Sequence, residues 1–261
     1  MTELVLRHDR ARVAHLTLNS PANFNALSLD MIDALSAALR DIAQDDGIRV
    51  VILAGEGKAF CAGHDLRQMQ AARGDDDAGR AAFDALFTRC AGMMQMIPAL
   101  PQPVIAQVHG IATAAGCQLV AACDLAVAAQ GTRFGVNGVN IGLFCSTPMV
   151  ALTRAVPHKA AFEMLTTGEF IDADRARELG LVNRVTQADA LPDAAMELAQ
   201  TIAAKLPAAV QMGKRAFYDQ LGQGLAGAYG SAGAVMCENM LLPDTDEGIT
   251  AFLEKRPPSW A

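Results

Sequence analysis

The fold class follows mainly from one segment, PVIAQVHGIATAAGCQLVAACDLAVAA (residues 103–129). Its apolar run Val104–Val108 predicts a buried strand, because a strand that is covered on both faces is apolar throughout. A turn of small residues follows, then a short helix around Gln118–Ala122, then a second strand over Leu125–Ala129. This order of strand, turn, helix and strand predicts parallel sheets covered by helices.

The same order occurs before this stretch, and a weaker version begins after it. Arg49–Leu53 (RVVIL) is another continuous apolar strand, and the small-residue loop GEGKAFCAGHDL (55–66) follows it. A third cycle begins at Arg133-Phe134. We therefore predict an α/β fold of stacked units over residues 1–190.

The flanking segments have simpler patterns. Leu4–Leu6 and Val13–Leu18 predict a hairpin from their alternating apolar residues. Ser28 is a suitable N-cap for a helix with a 3.6-residue apolar period. A long helix is predicted from Arg80 to Met96, ending before Pro98.

The C-terminal part, residues 191–261, lacks strand signals. Its predicted helices are Leu191–Lys205, Ala208–Leu221, Ala226–Leu242 and Glu247–Lys255. Because their apolar content makes exposure to water costly, we expect this region to pack on a partner subunit.

Composition limits the classes of function. The chain has 261 residues, 52% hydrophobic and 19% charged, with a net charge of −7. This acidic balance argues against a nucleic-acid or anionic-membrane partner, since both need a basic surface. The longest apolar stretch is broken by His109, Gln118 and Asp124, so it predicts no membrane span. Six cysteines without a C-x-x-C pair predict reduced, buried thiols, and we expect a cytoplasmic protein.

Several common site motifs are excluded or stay open. GEGKAF is not a phosphate loop, because Lys58 is followed by Ala59 rather than by Ser or Thr. No cysteine pair has metal-ligand spacing, so no metal site is expected. A Cys–His nucleophile remains an alternative, with Cys61, Cys145 and His64 as its candidates.

The two small-residue loops, CAGHDL (61–66) and TAAGCQL (113–119), are the main functional signal. Each follows a buried strand, and the second opens a helix, where backbone N–H groups are unpaired. Two such loops side by side would polarise one carbonyl oxygen, which is the definition of an oxyanion hole. The alternative is that small residues merely let helix and sheet pack closely.

Longer stretches resemble the crotonase, or enoyl-CoA hydratase/isomerase, superfamily. VVILAGEGKAFCAGHDL (50–66) and residues 103–129 resemble its two oxyanion loops. NSPANFNALSLDMIDAL (19–35), LTTGEFIDADRARELGLVNRV (165–185) and EGITAFLEKRPPSW (247–260) resemble other family segments. The resemblance therefore covers essentially the whole chain.

The resemblance implies a fold, a substrate and an assembly. The fold is a crotonase-like ββα superhelix, or spiral core, with a C-terminal helical trimerisation region over residues 191–261. The substrate is an acyl-CoA thioester, so coenzyme A arrives with the substrate and no separate cofactor is expected. The assembly is a homotrimer or a dimer of trimers. The implied activity is that of an enoyl-CoA hydratase-like lyase in fatty-acid or related acyl-CoA metabolism, acting through an enolate.

The resemblance also assigns residues. It places the two thioester-binding N–H groups on Ala62 and Ala115. The implied contacts with CoA are Ala26, Leu27, Ala62, Gly63, His64, Asp65 and Leu66. Lys255 is a candidate for the CoA phosphates, or else an ordinary solvated lysine.

Two departures from the family pattern concern proton transfer. The two glutamates of true hydratases match Gln118 and Gly138 here. A carboxamide does not titrate usefully and glycine has no side chain, whereas general acid–base groups contribute about 10²–10⁴-fold each. The substitutions therefore argue against efficient hydration, and Gly138 also argues against double-bond isomerisation.

Other sequence motifs resemble particular branches of this superfamily. His64 in AGHD resembles the methylmalonyl-CoA decarboxylase branch, in which a tyrosine lies near the position of Cys145. NIGLFCSTP (140–148) and the loops most resemble the branch called enoyl-CoA hydratase domain-containing protein 3. Two alternatives stay open: a decarboxylase or thioesterase using His64, Gln118 or Cys145, and a non-catalytic acyl-CoA-binding protein. Asn137 is a candidate, with Asn140, to orient a polar acyl group.

Overall fold

A computed structural model describes residues 3–260, which form two sheets and their covering helices. The larger sheet contains β1 (Val5–Arg10), β2 (Val13–Leu18), β3 (Val50–Gly55), β4 (Val104–Val108), β6 (Leu125–Ala129) and β9 (Arg184–Thr186), in that spatial order. The smaller sheet contains β5 (Ile111–Thr113), β7 (Arg133–Gly135) and β8 (Ile171–Asp172). β1–β2 and β7–β8 pair antiparallel, and every other pair is parallel.

The helices separate and cover these strands. They are α1 (Leu29–Ala43), α2 (Leu66–Ala72), α3 (Arg80–Ala99), α4 (Ala115–Ala122), α5 (Ser146–Ala155), α6 (His158–Thr167), α7 (Ala173–Glu178), α8 (Leu191–Ala203), α9 (Pro207–Leu221), α10 (Leu225–Met240) and α11 (Pro243–Leu253). Short 3-10 helices span Pro21–Asn23 and Asn137–Ile141.

From β4 to β7 successive strands alternate between the two sheets, and a helix follows each pair. β4 passes into β5 through a bend at Gly110, whose φ of 64° and closeness to Lys58 (a Cβ would lie 2.1 Å from its carbonyl oxygen) require glycine. β6 passes into β7 in the same way. The loop after β3 joins the smaller sheet through a bridge between Cys61 and Ala112. This ββα repeat confirms the predicted α/β class and the superhelical core.

The larger sheet is covered on both faces. On one face α8 packs on the apolar side chains of β3, β4 and β6. The main core lies on the other face, where α1 packs against β1 and β2, and α3 packs against α1 and α4. Because α8 packs directly on the larger sheet, the helices that do not cover this sheet begin only at α9. The predicted division at residue 190 stays a prediction.

Most helix ends agree with the prediction from the sequence, and a few differ. Ser28 caps α1 as predicted, its hydroxyl accepting from the Met31 N–H at 3.2 Å. The predicted end of α3 before Pro98 is wrong, since the helix continues to Ala99. Pro98 lies in the last turn, where its missing N–H removes a single backbone hydrogen bond. Helices α5, α6 and α7 were not predicted.

The C-terminal helices carry much exposed apolar surface. α9 packs on α3, and α10 packs on α9. The large exposed apolar side chains in this region include Phe217, Leu221, Leu225, Tyr229, Met236, Met240, Leu241, Phe252 and Leu253. Such a surface is consistent with subunit packing, and the trimer or dimer of trimers remains a prediction.

All six cysteines are free; five are buried as expected, and Cys237 is exposed. Among residues 3–260 there is no helix with the length and apolar character needed to cross a bilayer.

Candidate active site

A cavity of about 370 Å³ lies at the N-terminal end of α4. It brings together eight of the predicted site residues, Ala62, His64, Leu66, Ala115, Asn137, Gly138, Asn140 and Cys145. Its remaining lining is mainly apolar. A larger and more open groove of about 920 Å³ runs along α6 and α7, and none of the predicted site residues lines it. The cavity beside α4 is therefore the candidate active site.

The two small-residue loops meet in this cavity. A Cβ on Gly63, whose φ is 89°, would lie 3.0 Å from the Thr113 carbonyl oxygen and 3.2 Å from the Ala115 nitrogen. A Cβ on Gly116 would lie 2.1 Å from the Cys61 carbonyl oxygen. Close packing and N–H presentation are thus not alternatives here, because the small residues achieve both.

The predicted role of the Ala62 N–H conflicts with the structure. That N–H already donates to the Phe24 carbonyl oxygen at 3.0 Å. The next N–H, on Gly63, is directed at the Cys61 sulfur. A donor that is satisfied within the protein cannot also hold a substrate oxygen without breaking its bond. The assignment of Ala62 as a thioester donor is corrected on this ground.

The backbone N–H of His64, unlike that of Ala62, is free to face the cavity. Leu27 forms a parallel bridge with His64, and its N–H donates to the Gly63 carbonyl oxygen at 2.7 Å. In a parallel bridge only one of the two residues bonds to the opposite strand. Here that residue is Leu27, so the N–H of His64 points away from Leu27. Within residues 3–260, the N–H groups of His64 and Ala115 have no acceptor, and Ala115 is the first residue of α4. The sequence analysis did not predict this backbone role for His64. The usable signal was the glycine at residue 63, because glycine permits a left-handed turn that redirects the next N–H.

The His64 side chain is fixed by two contacts. Its Nδ1 lies 3.3 Å from the Leu27 carbonyl oxygen, and its ring packs edge-on against Phe87 at a centroid distance of 5.6 Å. Burial lowers the pKa of His64, although the hydrogen bond to Leu27 opposes this shift. A carbonyl oxygen can only accept, so Nδ1 carries the proton of the neutral ring. Nε2 is buried and has no hydrogen-bond partner within residues 3–260.

The two positions that match glutamates carry no acid. Gln118 is 5% exposed, and its Oε1 is buried without a partner within the described chain. It lies one turn after Ala115 on α4 and is not part of the cavity lining. At Gly138, a Cβ would lie 2.3 Å from the Leu143 carbonyl oxygen and 2.9 Å from the Cys145 sulfur. The residues that line the cavity, all within the described part of the chain, include no Asp or Glu.

Cys145 and the asparagines complete the polar lining. Burial raises the pKa of the Cys145 thiol, which keeps it protonated, although the neighbouring Gly138 N–H opposes this shift. The Thr113 hydroxyl donates to Asn137 Oδ1 at 2.7 Å, which orients the Asn137 amide within the cavity lining. Asn140 also lines the cavity, and its Nδ2 donates to the Gly168 carbonyl oxygen at 3.1 Å.

The predicted CoA contacts are distributed unevenly. Leu27 is fully buried in the core, so only its backbone is available, and Ala26 is also buried. Asp65 caps α2, its carboxylate accepting from the N–H groups of Arg67 and Gln68. Leu66 is 54% exposed at the cavity entrance. Lys255 is exposed beyond the end of α11 and, among the described residues, lies outside the cavity lining.

Comparisons with known proteins agree with this architecture. The family model for enoyl-CoA hydratase/isomerase matches residues 8–261. A Danio rerio protein, enoyl-CoA hydratase domain-containing protein 3, mitochondrial, is 42% identical over 260 residues, which cover 100% of this chain and 88% of the relative. The chain therefore belongs to the enoyl-CoA hydratase/isomerase family.

Two solved structures refine the placement. An enoyl-CoA hydratase from Mycobacterium smegmatis is 54% identical, with a TM-score of 0.94 and 98% of each chain covered. Human enoyl-CoA hydratase domain-containing protein 3 is 42% identical, with a TM-score of 0.94, covering 98% of this chain and 100% of that one. The predicted resemblance to this branch of the crotonase superfamily is confirmed.

The expected cytoplasmic location is wrong. The Danio rerio relative is named as mitochondrial, and so are its rat and human counterparts. Acidic composition, reduced thiols and the lack of a predicted membrane span are compatible with more than one compartment that keeps thiols reduced. The composition of a folded domain therefore gave no ground for choosing the cytoplasm.

Proposed function

We propose that the cavity binds the thioester end of an acyl-CoA, whose carbonyl oxygen accepts hydrogen bonds from the N–H groups of His64 and Ala115. The observation that carries this proposal is a pair of N–H groups beside one cavity that find no acceptor in the described part of the chain. Such donors are preorganised and lie in a largely apolar space, where each contributes about 10²–10³-fold to the rate of a reaction that places charge on oxygen.

The site supports reactions that pass through a thioester enolate and that use no carboxylate as a catalyst. An enolate places its charge on the same oxygen that the two N–H groups would hold. Hydration of an enoyl-CoA also needs acids and bases to handle water, and the cavity lining contains no carboxylate. We therefore propose an enoyl-CoA hydratase-like enzyme of acyl-CoA metabolism in which hydration itself is slow.

Decarboxylation of a malonyl-type thioester is a second candidate, and the carboxylate-free, apolar lining favours it. In that reaction the C–C bond to the carboxylate breaks, CO₂ leaves, and the electron pair forms the enolate. Water then supplies a proton to the carbon. An apolar cavity destabilises the charged carboxylate of the substrate more than it destabilises the delocalised enolate.

The binding proposal is tested by the infrared spectrum of a ¹³C-labelled acyl-CoA thioester bound to the full-length protein. We expect the labelled C=O stretch to move to lower frequency on binding, because two N–H donors polarise the bond. An analogue in which a CH₂ group replaces the thioester carbonyl should bind at least about tenfold more weakly, as expected from the loss of two hydrogen bonds. An unshifted stretch together with equal affinities would disprove the assignment.

The reaction is tested by a substrate panel with mass-spectrometric detection. Crotonyl-CoA hydration should be slower by at least about 10²-fold than in a family member that has both glutamates, given the contribution of one acid–base group. Turnover of malonyl-type thioesters would support the second candidate. Hydration at the rate of the two-glutamate enzyme would contradict the proposed reaction class.

A further inference from the structure

We propose that the side-chain amide of Asn137 donates a hydrogen bond to a second oxygen of the substrate, so that the substrate is an acyl-CoA with a neutral acceptor oxygen near its thioester. This inference rests on the proposed binding of the thioester by the His64 and Ala115 N–H groups. It deepens that proposal by naming the class of acyl group, and it makes Asn137 a residue that determines specificity.

One contact orients the Asn137 amide. The Thr113 hydroxyl donates to Oδ1 across 2.7 Å, and both residues are half-buried in the lining of the same cavity. A hydroxyl has a single proton to donate, so this bond holds the oxygen end of the amide against β5. The Nδ2 end, which carries two N–H donors, is left for another partner.

The Nδ2 atom of Asn137 is open and unused. No acceptor within residues 3–260 bonds to it, and it is accessible to water, unlike the buried Nε2 of His64. Because Asn137 lines the cavity and another lining residue holds its oxygen end, the open nitrogen end is available to a ligand in the cavity. Ligand cavities are mostly apolar, and a few oriented polar groups of this kind provide their specificity.

The other amide and hydroxyl side chains of the lining, all in the described part of the chain, offer no equivalent donor. The Nδ2 of Asn140 is engaged with the Gly168 carbonyl oxygen at 3.1 Å. The Ser146 hydroxyl donates to a backbone carbonyl oxygen of its own loop at 3.4 Å. The Thr147 hydroxyl can donate or accept, so it does not select between the two. Asn137 is therefore the lining side chain that selects for an acceptor.

The charge of the cavity identifies this acceptor as neutral. The lining, which lies within the described chain, contains no Lys or Arg, and burial lowers the pKa of His64, which favours its neutral ring. A carboxylate held there by one neutral amide would be buried without a cation, which is costly. A carbonyl or hydroxyl oxygen needs only the hydrogen bond that Asn137 can donate. The substrate class is therefore an acyl-CoA with an oxo or hydroxyl group on its chain.

The connection along the chain limits how far this oxygen lies from the thioester. Thr113 is two residues before Ala115, so their α-carbons are at most about 7.6 Å apart. The hydrogen bonds at the two ends of the acyl group span about 3 Å each. These distances put the second oxygen within a few bonds of the thioester carbonyl, and we assign it to the third carbon of the acyl chain.

The test is the infrared spectrum of acetoacetyl-CoA bound to the full-length protein, with ¹³C placed either at the thioester carbonyl or at the ketone on the third carbon. We expect both labelled C=O stretches to move to lower frequency on binding. Asn137→Ala should abolish the ketone shift and keep the thioester shift. Calorimetry should show that this variant loses about threefold to tenfold in affinity for acetoacetyl-CoA relative to butyryl-CoA, the contribution of one hydrogen bond.

Two variants of similar shape separate the donor from the packing of its side chain. Asn137→Asp keeps the bond from Thr113 but turns the donor into an acceptor, so it should discriminate against acetoacetyl-CoA more strongly than Asn137→Ala. Thr113→Val removes the hydroxyl that orients the amide, so it should reduce the ketone shift and keep the thioester shift. Thr201→Val, which removes a hydroxyl bonded to the Glu197 carbonyl oxygen on α8, should change neither shift.

The outcomes separate this inference from the binding proposal. A thioester shift without a ketone shift in the wild-type protein would overturn the role of Asn137 and leave the two backbone donors intact. A ketone shift that survives in Asn137→Ala would also overturn it. If the thioester shift is absent, the binding proposal itself fails, whatever the ketone stretch does. Tighter binding of malonyl-CoA than of acetoacetyl-CoA would show that the cavity prefers a charged oxygen and would overturn the assigned substrate class.

Discussion

The backbone N–H of Ala62 donates to the carbonyl oxygen of Phe24 across 3.0 Å, and this bond determines which peptide of the first loop faces the cavity. Phe24 itself has a left-handed φ of 57°. The bond therefore fastens the first oxyanion loop to a turn with an uncommon backbone conformation. Any change that relaxes this turn should alter the direction of the N–H groups at Ala62 and at His64.

Asn25 holds that turn, and its replacement should be costly. The side chain is fully buried; Oδ1 accepts from the Ser20 N–H at 2.9 Å, and Nδ2 donates to the carbonyl oxygens of Glu56 and Ala59. Its φ is 54°, a value that asparagine tolerates better than most residues. Asn25→Ala should lower the free energy of unfolding by about 3 kcal/mol, because buried polar groups lose their partners.

A matched variant separates the two causes. Asn25→Gly loses the same hydrogen bonds but adopts the left-handed conformation freely, so it should be less damaging than Asn25→Ala by about 1 kcal/mol. Urea unfolding of both variants measures the difference. If Asn25→Ala unfolds at the same urea concentration as the wild type, the turn does not depend on this side chain.

Restoring a carboxylate at residue 138 should fail for steric reasons. A Cβ there would lie 2.3 Å from the Leu143 carbonyl oxygen, and the backbone must move before any side chain can fit. Gly138→Ala should lower the free energy of unfolding by about 1–3 kcal/mol through overpacking. Gly138→Glu should not increase crotonyl-CoA hydration. Differential scanning fluorimetry and a hydration assay measure these effects.

The control for Gly138 is a glycine with free space. Gly92 lies within α3, where an added methyl group would meet no atom within 4 Å. Gly92→Ala should stabilise the protein by about 0.5–1 kcal/mol, because alanine is the better helix former. A Gly138→Ala variant as stable as Gly92→Ala would show that the loop from Gly138 to Cys145 yields easily.

Gln118→Glu is also expected not to create a hydratase. The Oε1 atom of Gln118 is buried and has no donor in the described chain, so a carboxylate there would lack partners. Burial raises the pKa of such a group, and it stays protonated at neutral pH. Crotonyl-CoA hydration by this variant should remain within about tenfold of the wild type, the effect expected of an acid that cannot ionise. An increase beyond about 10²-fold would show that ligand binding provides the missing donor.

The sequence predicted the architecture and the cavity well, and it predicted the donor atoms less well. Apolar strands followed by small-residue loops are local signals, so the position of the two loops at α4 was readable. Whether Ala62 or His64 directs its N–H into the cavity depends on bonds to Phe24 and Leu27, which lie far away in the chain. The role of Asn25 was missed for the same reason, since its partners are backbone atoms of a separate loop.

The C-terminal helices are anchored to the core by a buried ion pair. Lys214 on α9 donates to Asp124 at 2.6 Å and to the carbonyl oxygens of Ile97 and Gln102. Lys214→Met removes the cation and leaves a carboxylate with too few donors, so it should cost about 3–5 kcal/mol. Tyr218→Phe removes one hydrogen bond to the same carboxylate and should cost only about 1–2 kcal/mol. Equal stability of the two variants would contradict this hierarchy, which urea unfolding measures.

The lowered pKa of His64 predicts a specific pH dependence. Burial keeps the folded-state pKa below 6.5, the ordinary value for histidine. As the pH falls below 6.5, the unfolded chain binds a proton at this residue before the folded protein does. Stability contributed by the neutral ring is therefore complete above pH 6.5 and is lost as the pH falls through that value toward the folded pKa. A folded-state pKa that is lower by one pH unit corresponds to about 1.4 kcal/mol.

His64→Gln isolates this effect from other titrating groups. The wild type should lose more unfolding free energy than the variant between about pH 7.5 and pH 5, because His15 and the remaining groups are common to both proteins. Parallel urea titrations of the two proteins over this pH range measure the effect. Identical stability losses in the two proteins would mean that His64 is not held neutral by the fold.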